Sequence, residues 1–451
     1  MENVTALRKH GLFDAKVPRY TSYPPANRFE PHTGRLHHRE LLAAVEPDKP
    51  VSVYFHVPFC RRLCWFCACR TQGTKTLRVV NNYVSDLEKE LKQTATQLPK
   101  KLAMSRLHFG GGTPTLLSPA FLDRLLFQID QHFDRAQDFE FSVEVDPTEA
   151  PDDVLDSLAH WGMRRASIGV QDFNPSVQEA IGRAQSFEQT RHVVDHMRRN
   201  RVESLNVDLL YGLPRQTTET LVDTLDRVAE LRPDRIALYG YAHVPHVSKR
   251  QIMIPEALLP RPERRHEMSE MARERLCAIG YEAIGIDHFA LPTDSLALAA
   301  RNGRLKRNFQ GYTDDPCDTL LGFGASSISK FPKGYVQNAV STAAYSELVR
   351  AGESAARRGF LLSNEDTLIA RMIDGLMCYA RVDGARLARQ FPARKTDINS
   401  SLKDLQRAFP ELVELETNTL SLRPGMHAAA RLIAARLDHE LKSGHVHSLA
   451  V

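Results

Sequence analysis

The chain has no apolar stretch approaching the roughly 20 residues that a bilayer span requires, so no membrane crossing is expected among its 451 residues. Internal repeats and low-complexity segments are missing too. Net charge is a mild +4, and no dense Lys/Arg run interleaved with aromatics occurs, so nothing marks a nucleic-acid partner. Cysteine is scarce. There are seven, an odd number, with no signal-peptide pattern ahead of them, which argues against a disulfide framework and for a reducing, cytoplasmic location. What remains, 42% hydrophobic and 25% charged, is the composition of a globular protein. Its length predicts one large domain and one or two smaller ones.

Four of the seven cysteines fall within Cys60–Cys69, directly after an apolar run, Val51 to Val57, that reads as a buried strand. Cys60, Cys64 and Cys67 are spaced C-x3-C-x2-C. Three thiolates at i, i+4 and i+7 on one loop can hold three corners of a cubane iron–sulfur cluster. The fourth iron then stays open to a substrate or cofactor, and this spacing is the signature of radical S-adenosylmethionine (SAM) enzymes. A structural zinc site usually needs a second cysteine pair. Cys277, Cys317 and Cys378 are isolated, so zinc is the weaker alternative. Cys69 is not needed for three-point ligation.

Residues 1–46 show little periodicity, and Pro18, Pro24 and Pro25 predict an extended N-terminal arm. From about residue 50, β-type runs alternate with helix-like stretches. The runs are Ser52–Val57, Arg106–Phe109, Phe139–Val145, Ala166–Val170, Leu205–Leu210, Arg235–Tyr241 and Glu282–Ile286. Val80, Tyr83, Val84, Leu87 and Leu91 mark one helix, and Leu221, Leu225, Val228 and Leu231 another. Asp152 and Thr217 read as helix starts, Gly162 and Gly280 as stops. Such alternation means βαβ units, a parallel sheet and an α/β fold of whole or partial barrel type. A barrel-like core is expected over 47–290 and a capping segment over 291–360. The latter carries Arg307–Tyr312 and Gly322–Ile328, which read as loop folded over a mouth. A small, mostly helical domain, possibly winged-helix, is expected over 361–451. There Asn364–Tyr379 and His427–Leu441 read as helices and Leu412–Leu422 as a strand pair turning at Thr417-Asn418.

Ligands gather at the carboxyl ends of parallel strands, and the polar and glycine-rich motifs of this chain fall there. Gly110-Gly111-Gly112-Thr113 follows the second strand, where backbone can approach a ligand closely. Its bland reading is a tight turn. Glu144 ends the third strand and could accept from a ribose or an ammonium, or simply serve as a helix cap or salt bridge. Gln171 and Asp208 have similar alternatives. Arg183 could be merely solvated, and Tyr54 merely an aromatic core residue.

The chain resembles the oxygen-independent coproporphyrinogen III oxidases, radical SAM enzymes of haem biosynthesis. The likeness runs through Pro18–Pro24, Tyr54–Cys69, His108–Thr115, Ser167–Asn174, Asp208–Pro214, Asn308–Thr313 and the Gly-Phe-Gly-Ala-Ser-Ser-Ile run, covering about residues 15 to 330. The resemblance implies a partial (β/α)6-type barrel, a [4Fe–4S] cluster on Cys60, Cys64 and Cys67, and two SAM molecules. By resemblance, Tyr54, Gly111, Glu144 and Ile328 match a first SAM site. Gly112, Thr113, Gln171, Arg183, Asp208 and Ala242 match a second, and Phe66 also belongs to the cofactor-binding set. Cys69 belongs to the signature without being a ligand, and the Arg19-Tyr20 segment matches an arm that closes over the site.

The implied reaction converts two propionates of coproporphyrinogen III to vinyl groups through a 5′-deoxyadenosyl radical, without a catalytic acid–base dyad. It implies a monomer with a low-potential electron donor and an electron acceptor as partners. A haem-methylating or ring-opening paralogue and a haem-trafficking protein are the rival readings. Two departures stand out: Ala68 where the family more often has glycine, and Gly182-Arg183-Ala184-Gln185 where it usually shows Asn-Arg-Glu-Gln.

Overall fold

Strand alternation sets the architecture, seen in a computed structural model that describes residues 2–309, 311–439, 441 and 448–450. Six strands run parallel and in chain order: β1 (Val51–Val57), β2 (Leu102–Gly111), β3 (Phe133–Val145), β4 (Met163–Gln171), β5 (Ser204–Tyr211) and β6 (Arg235–Gly240). Helices cross between them over Leu77–Ala95, Pro119–His132, Asp152–His160, Phe187–Arg199 and Thr218–Leu231. Thr217 caps the last of these from its side chain. After helices ending at His160 and Ala278, Gly162 and Gly280 take the positive φ that lets the chain turn.

One face of each strand is apolar and lies beneath these helices. Val53, Phe55 and Val57 of β1 are at most 1% exposed, as are Leu107 and Phe109 of β2. Val143, Ile168 and Val207 continue the same layer. Each such side chain contributes roughly 1.5–3 kcal/mol by leaving water. Beyond β6 the sheet continues through two antiparallel strands, β8 (His288–Ala290) and then β7 (Glu282–Ile284).

The segment read as a mouth-covering loop keeps a turn at Gly324–Ser327, two residues of which line the cavity, but is flanked by sheet. β9 (Leu320–Phe323) lies parallel beside β1, and β10 (Ile328–Phe331), β11 (Gly334–Asn338) and β12 (Ala356–Leu361) extend the edge antiparallel. Phe323, 1% exposed, stacks on Phe55 at 4.9 Å between ring centroids. Its glycines obscured the strand signal: Gly322 and Gly334 each sit against a neighbouring strand's carbonyl where a Cβ would not fit. With the short strand Glu30–Pro31 paired to β12, thirteen strands form an open series whose ends do not pair with each other among the described residues, hence a partial barrel.

The N-terminal arm also differs from expectation. Residues 18–25 carry no helix or strand, as the prolines require, but Glu2–Lys9 and Thr33–Ala43 are helices. Leu7, Leu12, Phe13, Tyr20 and Tyr23 are buried in a second core with the C-terminal helices, so tertiary burial supplies what weak periodicity does not. That core holds the expected helix Asn364–Tyr379 and a hairpin of Val413–Glu416 with Thr419–Leu422, turning at Thr417 and Asn418 in left-handed conformation. The helix expected over 427–441 is shorter: a 3-10 turn at His427–Ala429 and an α-helix over Ala430–Leu437, while Glu440 lies outside the described residues. Arg431 joins the two ends of the chain by donating to the carbonyls of Val17, Pro18, Leu449 and Ala450.

A buried carboxyl ties the β9–β11 edge to the helix Leu77–Ala95. Glu90, 5% exposed, accepts from the Gly324 N–H at 2.7 Å, the Tyr345 hydroxyl at 2.7 Å and Asn338 Nδ2 at 2.5 Å. Burial raises it from 4.5 to about 7 despite these donors. Between those two values the unfolded chain releases this proton while the folded chain keeps it. Glu90 should therefore lower stability by about 3 kcal/mol as pH rises through that window, with little further change above 7. Denaturant unfolding across pH 4.5–8 checks this: Glu90→Gln should flatten that component, and Glu90→Ala should cost about 2–4 kcal/mol at pH 5 by orphaning buried donors.

Candidate active site

The opposite faces of the same strands are polar, and they enclose one cavity of about 880 Å³. Ser52, Tyr54 and His56 of β1, Arg106 and His108 of β2, and Glu140, Ser142 and Glu144 of β3 all line it. Arg165 and Ser167 of β4, with Asn206 and Asp208 of β5, complete the wall. A close-packed barrel would place branched apolar side chains here. Register makes neighbouring rows of Arg106 with Glu140, Tyr54 with His108, and Glu144 with Ser167.

At the carboxyl end, Glu144 accepts from the Gly111 N–H at 2.8 Å and approaches His108 Nε2 at 3.4 Å. Burial alone would raise this carboxyl, yet the hydrogen bond and charge of His108 and the Gly111 N–H hold it below its ordinary value. His108 is itself oriented by Ser142 at 2.6 Å and stacked on Tyr54 at 5.7 Å between centroids. Tyr54 is therefore a cavity residue, not core filling. Its hydroxyl meets His56 Nδ1 at 2.9 Å. Asp208 accepts from Ser167 at 2.8 Å and Asn206 at 2.7 Å, and burial raises it. The glycines admit no side chain: a Cβ at Gly111 would lie 2.7 Å from His56, and one at Gly112 would lie 2.5 Å from the Phe59 carbonyl.

The cysteine loop crosses this end of the barrel, held by the segment after β6. Ser248 donates to the Cys67 carbonyl at 2.8 Å, Gln251 to the Phe66 carbonyl at 2.7 Å, and Arg250 to the Thr71 carbonyl at 2.7 Å. Gln251 also reaches the Ala242 carbonyl at 3.1 Å. Hydrogen bonding with the Cys69 side chain lowers Cys67 to about 6, whereas burial raises Cys60 to about 11. A single tetrahedral zinc would draw its thiolates to roughly 3.8 Å of one another, given Zn–S bonds of about 2.3 Å. Among the described residues, the only set of three or more possible metal ligands within 4.8 Å of one another is Asp152, His192 and His196, on the outer helices. The three loop thiols do not form such a set, and their all-sulfur, three-point donor set fits a cluster.

Arg183, read from sequence as possibly solvated, is 7% exposed and fully engaged. It donates to Asp146 at 3.1 Å, the Gly169 carbonyl at 2.7 Å and Gln185 at 3.1 Å, and its Nη1 lies 3.6 Å from Cys64 Sγ. The missing acidic neighbour has a local account: Asp146 supplies the carboxylate, and the Ala184 carbonyl accepts from Arg62. Gly182 is explained by Trp65. It ends the helix Pro175–Ile181 with φ +66°, and a Cβ there would lie 2.9 Å from the indole. For the Ala68 departure the structure offers no explanation.

All fourteen residues singled out from sequence line the one cavity: Cys60, Cys64, Cys67, Tyr54, Phe66, Gly111, Gly112, Thr113, Glu144, Gln171, Arg183, Asp208, Ala242 and Ile328. Gln171 does so from a strand irregularity with φ +70°, a left-handed conformation that non-glycine residues avoid without cause. Asp172, its neighbour, does not line the cavity and accepts from Gln216 and Thr224 beneath the helices. Gln310 of the Asn308–Thr313 motif lies outside the described residues. Sequence reasoning assigned no role to the interior histidines, His56 and His108, or to the strand arginines Arg106 and Arg165, and it missed Arg265 on the helix Pro262–Ala278. The signal was there: Ser-x-Tyr-x-His, Arg-x-His and Glu-x-Ser-x-Glu alternate within otherwise apolar strands.

A partial barrel with a three-cysteine loop over the carboxyl ends of its strands defines a radical SAM protein, and the pattern of the Radical SAM superfamily matches residues 54–228. Oxygen-independent coproporphyrinogen III oxidases are similar over nearly the whole chain. The one from Cereibacter sphaeroides is 48% identical over 439 residues, covering 97% of each chain. That from Paracoccus denitrificans is 45% identical with 100% of each covered. The crystal structure of coproporphyrinogen III oxidase from Escherichia coli, described as a radical SAM enzyme, superimposes with a TM-score of 0.88 at 36% identity. It covers 95% of this chain and 100% of that one. The chain belongs to the oxygen-independent coproporphyrinogen III oxidase family.

The packing of Gly182 on Trp65 is directly testable. Gly182→Asn, which restores the common family residue, should lower stability by about 1–2 kcal/mol through collision with the indole. In a Trp65→Leu background most of that cost should vanish, giving a coupling energy above 0.5 kcal/mol in a double-mutant cycle by denaturant unfolding.

Proposed function

We propose that this chain oxidatively decarboxylates two propionates of coproporphyrinogen III to vinyl groups, giving protoporphyrinogen IX for haem biosynthesis when oxygen is scarce. One observation carries the reading: the cysteine triad, the Gly111–Thr113 turn and the polar residues of the inner strand face line one cavity of about 880 Å³. Cys60, Cys64 and Cys67 would hold the [4Fe–4S] cluster. Tyr54, Gly111, Glu144 and Ile328 would hold one SAM. Gly112, Thr113, Gln171, Arg183, Asp208 and Ala242 would hold a second, with Phe66 in the same cofactor-binding set. When bound, the cluster and SAM supply the one-electron chemistry that breaks a substrate C–H bond.

The chain's own residues bind, orient and shield. Glu144, kept ionised by His108 and Gly111, is suited to accept hydrogen bonds from a ribose or ammonium group. Arg183, packed against Cys64 Sγ and paired with Asp146, places a fixed positive charge beside the thiolates. Each propionate loses one hydrogen atom, one carbon dioxide and one electron to become a vinyl group. The electron passes to an acceptor, and a low-potential donor serves the cofactor. The proposal extends to a monomer in the cytoplasm, a reducing location that the odd and clustered cysteines favour, and no helix among the described residues is long and apolar enough to cross a membrane.

Anaerobically reconstituted protein with SAM, a low-potential reductant and coproporphyrinogen III should yield a product lighter by two carboxyl groups, with methionine and 5′-deoxyadenosine formed alongside, by chromatography and mass. Deoxyadenosine without decarboxylation would discard the substrate. A methylated or ring-opened haem would favour the paralogue reading, and stoichiometric haem binding without turnover the trafficking one. Cys60→Ala, Cys64→Ala and Cys67→Ala should each abolish both the cluster absorbance and turnover, whereas Cys69→Ala should retain iron and sulfide at wild-type stoichiometry.

A further inference from the structure

Six of the arginines that line the cavity fall into two electrostatic classes. Near the amino ends of the strands each has carboxylate partners: Arg165 is 3.1 Å from Glu140, Arg235 is 2.6 Å from Asp294, and Arg106 is 3.8 Å from Asp138. Those charges are spent on holding the barrel floor. Arg19, Arg265 and Arg307 line the same cavity near the carboxyl end of β6, and none has a carboxylate within ion-pair distance among the described residues. Arg265 is 8% exposed and Arg307 7%. Taking a guanidinium out of water without an ion-paired carboxylate is costly, and Asp287 acts on Arg19 and Arg307 only from beyond ion-pair distance, which leaves room for an anionic ligand.

Backbone contacts bring the three together. Arg19 Nη2 donates to the Gly240 carbonyl at 2.6 Å and Arg265 Nη2 to that of Tyr241 at 2.6 Å, adjacent acceptors at the end of β6. Arg307 Nε donates to the Tyr20 carbonyl at 3.1 Å and Nη2 to that of Arg19 at 3.4 Å, and its guanidinium lies over the Tyr312 ring at 4.2 Å. These bonds aim the groups without neutralising them. Among the described residues, Arg265 Nε and Arg307 Nη1 are buried donors with no hydrogen-bond partner, as are Arg106 Nε and Arg165 Nε of the floor, but only the floor arginines also have a carboxylate within 4 Å. Arg431, which approaches the same region, differs because backbone carbonyls already occupy its guanidinium. Asp287 is the nearby acid, and His288 Nδ1 holds it at 2.7 Å.

Resting on the functional reading above, we propose that Arg19, Arg265 and Arg307 form a carboxylate subsite that grips the two propionates the product retains. The chemistry selects these over the reacting pair. A carboxylate leaving as neutral carbon dioxide loses its charge, so a strong ion pair on it would stabilise the ground state and oppose the reaction. The retained carboxylates stay charged throughout, and bidentate arginine contacts to them orient the ring at no such cost.

The test uses full-length reconstituted holoenzyme and three porphyrin probes, with affinity read by fluorescence titration. Coproporphyrin III carries all four propionates, protoporphyrin IX only the retained two, and coproporphyrin III tetramethyl ester no charge. Arg307→Gln, Arg265→Gln and Arg19→Gln should each weaken binding of both acids about tenfold or more and leave the ester unchanged, with Arg307→Lys partly restoring affinity. Arg19 lies on a segment without helix or strand, so its variant tests the subsite with least demand on folding. Arg436→Gln, on the surface beside Asp404, is the control. Unchanged affinity for both acids overturns the proposal, as does a loss confined to coproporphyrin III. Conversion of coproporphyrinogen III by the wild-type enzyme separates the two claims. Conversion alongside unaltered variant affinities overturns the subsite alone. Failure of the iron-loaded wild type to convert it overturns the functional reading together with the subsite that rests on it.

Discussion

The two-residue alternation of the parallel strands is the constraint on which the rest of the structure depends. One face of each strand must be apolar enough to seat a helix layer. The other is released from packing because the partial barrel encloses a cavity rather than a core. Phe55, Phe109 and Val143 satisfy the first demand, and Tyr54, His108 and Ser142 use the freedom of the second. A slip of one residue in any pairing would exchange the two faces. The hydrophobic layer that stabilises the barrel thereby also fixes which side chains face the chemistry.

Two further devices turn this shell into a site. The cysteine loop is anchored by side-chain bonds to its carbonyls from Ser248, Arg250 and Gln251, so its backbone is positioned while its thiols remain available. Arg183 then connects that loop to the third and fourth strands through Asp146 and Gly169. The second device is closure by distant chain: the N-terminal segment and C-terminal helices share a core, and Arg431 binds both ends. Arg19 reaches the cavity because of that shared core.

The departures from the family pattern show how local changes compensate. Gly182 makes room for the Trp65 ring, and the loss of an acidic neighbour at Ala184 leaves Arg183 paired with Asp146. Neither position lines the cavity. A sequence pattern alone ranks both positions as alterations of the site, whereas their contacts make them matters of packing and loop anchoring.

By itself the sequence determined the strand order, the parallel βαβ architecture, the cysteine triad and the rim on which every singled-out residue lies. These follow from short-range rules: periodicity, loop spacing, and the direction a parallel strand imposes on its carboxyl end. Only the tertiary structure decided that Leu320–Phe323 and Ile328–Phe331 are strands, because the first pairs with Ser52–Phe55, distant in sequence. The same holds for the helices flanking Pro18–Pro25: Glu2–Lys9 packs in a core built from the other end of the chain, and Thr33–Ala43 buries Leu41 and Leu42 in the core of the barrel. It also divided the arginines. Whether a guanidinium is neutralised depends on carboxylates brought within a few ångströms by folding, and Arg165 and Arg307 look alike until Glu140 lies beside one and no acid pairs with the other.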